Sequence, residues 1–136
     1  MAFAADNPRA QESRHQAPPY PRRVPHPPAV RDQVARLHEA TLAEVQTALL
    51  QHAVVVVGMR QNPYPRRARK ALDDAKVPYH YLEYGSYFGG WSRRTALKMW
   101  SGWPTLPMVF VKRTLIGGAD DLARLIENGE LRRLLA

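Results

Sequence analysis

Val54-Val55-Val56-Val57-Gly58-Met59-Arg60-Gln61-Asn62-Pro63-Tyr64-Pro65 places a β-branched run just ahead of a helix start. Four valines without polar alternation predict a central strand covered on both faces. Asn62 is a strong N-cap type and Pro63 suits the first helical position. Ala68, Ala71, Leu72 and Ala75 then supply the apolar stripe of a helix running from Asn62 to about Ala75. Tyr79–Glu83 reads as the next strand. Upstream, Val30, Val34, Leu37, Thr41, Leu42, Val45 and Leu49 recur at steps of three and four, which predicts a helix of about 20 residues. Arg31, Asp32, Arg36, Glu39 and Glu44 fall mostly on its opposite face. Downstream, the Gly- and aromatic-rich loop Tyr84–Gly90 precedes a helix from about Ser92 to Trp100. Met108–Val111 and Thr114–Ile116, split by Lys112-Arg113, read as a hairpin. Gly117-Gly118 breaks the chain before a helix from about Asp120 to Glu127, and Glu130–Leu135 makes a last turn or two. A strand–helix–strand crossover followed by a hairpin predicts an α/β fold, a four-stranded mixed sheet flanked by helices.

At 136 residues the chain has room for one domain. It has no cysteine, which excludes disulfides, thiolate metal sites and cysteine-ligated iron–sulfur clusters on its own atoms. The five histidines (15, 26, 38, 52, 80) lack metal-ligand spacing, so no metal site is expected; His52 and His80 read as hydrogen-bonded structural residues. Net charge is +8, and residues 1–31 hold five arginines against two acids, so the excess is shared by both parts of the chain. Residues 1–28 carry seven of the 12 prolines and are expected to form a disordered Pro/Arg-rich tail, leaving 29–136 as the folded domain. Within that tail, Pro18-Pro19-Tyr20-Pro21 is a candidate for docking into an aromatic-lined groove. No apolar run reaches the roughly 18–20 residues that span a bilayer, and no secretory leader pattern is visible, so no membrane association and a cytoplasmic location are the expectations. No nucleic-acid module signature is present, and nucleic acid is not an expected partner.

Four motifs carry a family resemblance over some 80 residues, from about Val54 to Leu135. Asn62-Pro63-Tyr64-Pro65 with Ala68 and Leu72 follows Cys-Pro-Tyr-Cys-x-x-Ala-x-x-x-Leu. Trp103-Pro104-Thr105-Leu106-Pro107 looks like Trp-Pro-Thr-x-Pro. Gly117-Gly118-Ala119-Asp120-Asp121-Leu122 matches Gly-Gly-x-Asp-Asp-Leu, and Asn128-Gly129-Glu130-Leu131 matches Ser/Asn-Gly-Glu-Leu. The chain therefore resembles the glutaredoxins, closest to their monothiol branch. That resemblance implies a thioredoxin-like fold, to which the 30–49 helix is an N-terminal extra, with a cis peptide before Pro107 and a glutathione groove. In such a groove Leu106, flanked by Thr105 and Pro107, pairs main chain with the cysteinyl part. Gly118, Ala119 and Asp120 meet the γ-glutamyl end, and Arg94 grips the glycine carboxylate, with Arg60, Asn62 and Tyr64 completing the candidate ligand-binding set.

The departures are chemical. Asn62 stands where the nucleophilic cysteine belongs, and a carboxamide is neither a nucleophile nor a redox group. Pro65 replaces the second cysteine or serine and, with Pro63, strips N–H donors from the first helical turn. Asn62 and Pro65 are thus degenerate active-site positions, and no catalytic residue is nominated. The family's usual basic residue three positions earlier aligns with Met59, one before Arg60. Several readings stay open. One is a non-catalytic module binding glutathione or an extended peptide. Another is an accessory in electron transfer, thiol–disulfide or iron–sulfur pathways that acts through a cysteine-bearing partner. A third is binding of an acidic partner or polyanion by Arg60, Arg66, Arg67, Arg69 and Lys70. The motifs could equally build the fold without a ligand. Tyr84, Tyr87, Phe88 and Trp91 either pack on the 30–49 helix or form an exposed patch.

Overall fold

The computed structural model describes residues 27–136. Residues 32–136 form one compact unit. Pro18-Pro19-Tyr20-Pro21, the expected tail up to residue 26, His15 and His26 lie outside the described residues. Helix α1 spans Pro28–Gln51, followed by strand β1 (Val54–Gly58), helix α2 (Pro63–Asp74), strand β2 (His80–Glu83) and helix α3 (Trp91–Ser101). Strands β3 (Met108–Val111) and β4 (Thr114–Gly117) come next, then helices α4 (Ala119–Glu127) and α5 (Glu130–Leu135). The sheet order is β2-β1-β3-β4. β1 runs parallel to β2 (Val55 beside His80) and antiparallel to β3 (Val57 beside Met108), and β3 and β4 close the hairpin.

The two-sided burial of β1 organises both layers. Successive side chains of a strand point to opposite faces. Val55 and Val57 pack with Val45, Ala48, Leu97 and Phe110 beneath α1 and α3. Val54 and Val56 pack with Ala68, Leu72, Leu122 and Leu131 beneath α2, α4 and α5. All four valines are essentially inaccessible to solvent. Fully burying a valine-sized side chain contributes about 1.5–3 kcal/mol, so this strand alone is a large part of the fold's stability.

The apolar stripe of α1 is buried over only part of its length. Thr41, Val45 and Ala48 are buried, whereas Val30, Val34 and Leu37 are 37–54% exposed. The reason is geometric: a 24-residue helix is about 36 Å long, and strands of four or five residues extend only about 17 Å. The buried Thr41 hydroxyl is satisfied by donating to Leu37 O, one turn back, at 2.9 Å.

One expectation needs correction, and one open alternative is resolved. The imidazoles of His52 and His80 make no hydrogen bond to protein groups among the described residues. Their rings stack 4.3 Å apart and nearly parallel, His52 just ahead of β1 and His80 opening β2. The aromatic loop divides between its two readings. Tyr84 is buried under α1, while Tyr87, Phe88 and Trp91 are exposed. The Tyr84 hydroxyl donates to Glu44 of α1 at 2.8 Å. Burial, then the hydrogen bond to Glu44 and its charge, pushes the Tyr84 phenol well above its ordinary titration range.

Tyr84→Phe removes the hydrogen bond that ties the end of β2 to α1 while keeping the ring. A loss of about 1–3 kcal/mol in unfolding free energy is expected, read from urea denaturation of both proteins. An unchanged midpoint with unchanged slope would show that the bond does not hold α1 in place.

Candidate functional site

At one end of the sheet, four chain segments meet around a groove of about 620 Å³. Met59, Asn62 and Tyr64 come from the exit of β1, and Trp103–Pro107 from the approach to β3. Gly118, Ala119, Asp120 and Asp121 enter after β4; Tyr87, Trp91, Arg94, Thr95 and Lys98 enter after β2. Because the strands lie about 4.8 Å apart, the groove crosses about 14 Å from the β4 side to the β2 side. Of the residues nominated from sequence, Asn62, Tyr64, Arg94, Thr105, Leu106, Pro107, Gly118, Ala119 and Asp120 line it.

Arg60 does not line the groove. Met59 is buried and faces it, so alternation along the chain turns Arg60 to the other side. There its N–H donates to Gly85 O at 2.8 Å and its guanidinium lies 3.5 Å from Glu83. The notion of Arg60 as a groove cation is therefore corrected.

Asn62 is the N-cap of α2, and its Oδ1 accepts from Tyr64 N at 3.0 Å. Among the first three residues of that helix, Pro63 and Pro65 lack N–H groups, so Tyr64 holds the single donor and Asn62 takes it. The end of the helix is chemically closed: no free backbone donor of the first turn points at the place where an anion would need one. Pro65 is buried and absent from the lining.

On the β4 side, Gly117 has φ +121°, and a Cβ there would run into the Asp121 carboxylate, so only glycine fits. That carboxylate accepts from Gly118 N at 2.9 Å through Oδ2 and from Arg124 at 2.6 Å through Oδ1. The Gly118 N–H, and after it the Arg124 guanidinium, hold the Asp121 carboxyl below the usual carboxylate range. Asp121 is thus engaged within α4, while Asp120 is exposed and has no ion-pair partner among the described residues.

On the β2 side, Arg94 is 4% exposed. Its Nη1 donates to Tyr84 O at 2.8 Å and to Gly89 O at 2.6 Å, which closes the Tyr84–Gly90 loop. A Ser86–Gly89 bridge and a Phe88 N–H bond to Ser86 Oγ tighten the same turn. The guanidinium stands 5.2 Å from the Trp91 ring centroid, and its Nε and Nη2 have no acceptor among the described residues. Lys98, one helical turn on, also lines the groove and has no ion-pair partner among the described residues. Sequence reasoning passed over Lys98 and Thr95, although Trp91, Arg94, Thr95 and Lys98 are spaced three and four apart, the signature of one helix face.

Between the two charged ends lies Leu106. The Leu106–Pro107 peptide is cis, and the strand pairing starts only at Met108. No loop backbone hydrogen bond involves Leu106, so its main-chain groups are left for an incoming chain. No cluster of three metal-ligating side chains occurs among the described residues.

The fold and the groove define a thioredoxin-like domain with an open groove at one end of its sheet. The glutaredoxin family model matches residues 54–116. A glutaredoxin-like protein from Dictyostelium discoideum is 46% identical over 94 residues, covering 69% of this chain and 76% of that protein. Glutaredoxin 4 of Haemophilus influenzae is 30% identical over 102 residues, covering 71% and 92%. A buckwheat glutaredoxin solved as a glutathione complex superposes with a TM-score of 0.64 at 25% identity, covering 74% and 91%. This chain belongs to the glutaredoxin family, and it lacks the redox-active cysteine.

Two outcomes follow. Arg94→Ala removes the donor that closes the Tyr84–Gly90 loop, takes the side-chain partner from Tyr84 O and leaves Gly89 O with the Ser86 N–H alone. A destabilisation of about 2–4 kcal/mol is expected in urea unfolding, with faster amide hydrogen exchange at Ser86–Gly89. For Asp121, whose folded-state titration is lowered, the stabilisation is complete above the unfolded carboxyl's range and is lost as pH falls through the folded value. An Asp121→Asn variant should therefore show a flatter fall in thermal midpoint between neutral and strongly acidic pH than the parent. Identical acid limbs would remove Asp121 as the source.

Proposed function

We propose that this protein is a non-catalytic module that holds an extended, zwitterionic tripeptide of the glutathione type across the end of its sheet. One observation carries the reading: uncommitted charge is sorted along the groove. Asp120 stands at the β4 end, Lys98 and the free edge of Arg94 stand at the β2 end, and the unpaired main chain of Leu106 lies between them. A ligand with an ammonium at one end and a carboxylate at the other matches that order. Its central residue pairs main chain to main chain, as an added strand does. An extended tripeptide measures about 10 Å at 3.4 Å per residue, and the γ-linkage of glutathione lengthens it toward the groove's span. The glutathione-bound buckwheat relative supports this ligand class.

With no thiol anywhere in these 136 residues, exchange with a disulfide is not open to the chain alone. The task left to the groove is binding. A longer extended peptide with a free terminus satisfies the same three features and is the next ligand to test.

The acidic-partner reading keeps some support in the helix face beside the groove. Arg66, Arg67 and Arg69 have no ion pair among the described residues, and Arg67 and Arg69 instead lie 5.4 Å and 4.1 Å from the ring centroids of Tyr64 and Tyr81. Salt separates the two readings, since polyanion binding through several cations weakens steeply with ionic strength.

The test is an NMR titration with reduced glutathione into the millimolar range. Amide shifts centred on Leu106, Ala119 and Asp120 and a modest salt dependence are expected. Lys98→Ala should weaken binding about threefold to tenfold, as for a charge-assisted contact at a partly exposed site. Silence at those three amides would remove the reading.

A further inference from the structure

The groove carries a hydrogen-bond donor at the position where its relatives' chemistry needs a thiol, and that donor selects what may sit there. Tyr64 N is a donor, so the Asn62 atom it meets at 3.0 Å is the carbonyl oxygen. Asn62 Nδ2 is thereby directed away from the helix. It donates to no group among the described residues, and Asn62 is half-buried in the groove wall. The two prolines have removed the backbone donors beside it. Across the groove, Val57 pairs with Met108, so the chain leaving β1 and the segment at Leu106 face each other across about one strand spacing. A residue pairing with Leu106 main chain therefore sends its side chain toward Asn62. An amide N–H₂ that opens onto the groove without a protein acceptor offers its bond to a ligand that brings one.

We infer that the groove selects an extended tripeptide whose central side chain ends in an oxygen acceptor, such as an oxidised sulfur or a carboxylate, over the same peptide ending in a thiol. This rests on the tripeptide reading above and adds to it the identity of the central side chain. A thiol is a weak acceptor and an alkyl group is none, so neither uses the Asn62 donor. An anionic oxygen does, and the unpaired Arg67 beside Tyr64 and Lys98 in the groove wall add favourable charge. Asn62 is a specificity-determining residue under this assignment, not a catalytic one.

The experiment compares three probes on the full chain by calorimetry or NMR: glutathione sulfonate, reduced glutathione, and the analogue in which 2-aminobutyrate replaces cysteine. The sulfonate should bind roughly tenfold more tightly than the 2-aminobutyrate analogue, as for one hydrogen bond to a charged acceptor. Reduced glutathione should lie close to the analogue. Asn62→Asp keeps the helix cap and removes the donor, so it should abolish the preference for the sulfonate over the analogue. Asn62→Ala should also level the three ligands, at the cost of a cap worth about 1 kcal/mol. Equal affinities in the parent protein, or a preference that survives Asn62→Asp, would overturn the assignment and leave the tripeptide reading standing. Failure of all three probes to shift Leu106, Ala119 and Asp120 would sink both.

Discussion

β1 is the constraint from which the site follows. Its four valines are closed off by helices on both faces and by a strand on each edge, so neither its register nor its facing can slip without exposing apolar surface. Once that strand is fixed, the chain must leave it at Gly58 and turn into α2 at Pro63. Asn62 is delivered to the end of the sheet whatever chemistry it carries. The same strand aligns β3, which brings Leu106 opposite, and β3 in turn aligns β4, which brings Gly118 and Asp120. The groove is thus a consequence of the core. A chain can lack the reactive atom and keep the groove's shape, because no thiol holds these elements together.

Replacing the thiol and its neighbour did more than delete a reaction. A helix start with free N–H groups favours an anion through the peptide dipoles. Here Pro63 and Pro65 supply no donors and Asn62 consumes the one at Tyr64. The positive end of α2 is sealed by covalent structure and a side-chain cap, and the polar character of that spot passes to the outward Asn62 amide. An anion-stabilising helix end has become a neutral, directional donor. The change bears on selectivity, since a donor with fixed geometry discriminates among acceptors where a diffuse dipole does not.

Most of the framework was readable from local pattern, because the signals agreed with one another: β-branched runs for strands, an Asn-Pro start for α2, Gly-Gly before α4. The motif residues of the groove were readable as well, since short-range spacing fixes which of them stand at strand ends. What escaped depends on contacts that no local pattern encodes. Val30, Val34 and Leu37 have the spacing of a buried stripe, yet they are exposed because the helix outruns the sheet. Arg60 sits one residue from a groove position, and pleat alternation combined with Glu83 on the neighbouring strand turns it away. Arg94 looked like a cation for a ligand, but its Nη1 serves carbonyls ten and five residues away, which approach only when the Tyr84–Gly90 turn closes. Lys98 became visible only when the face shared by Trp91, Arg94 and Thr95 was seen to line the groove.

The double use of Arg94 couples the loop to the site. One nitrogen of a nearly inaccessible guanidinium holds the turn that presents Tyr87 and Trp91 to the groove, and the remaining donors face the same space. A buried cation without a carboxylate is costly to desolvate, and two carbonyl dipoles compensate only part of that cost. A ligand carboxylate arriving beside it would complete the neutralisation. The charge that binds would then be the charge that orders the loop, so occupancy at the β2 end should stiffen Ser86–Gly89 without any change in the sheet. The apolar core and the polar, part-satisfied rim divide the labour: the first sets positions, and the second leaves Arg94, Lys98, Asp120 and Asn62 with bonding capacity that no other described residue uses.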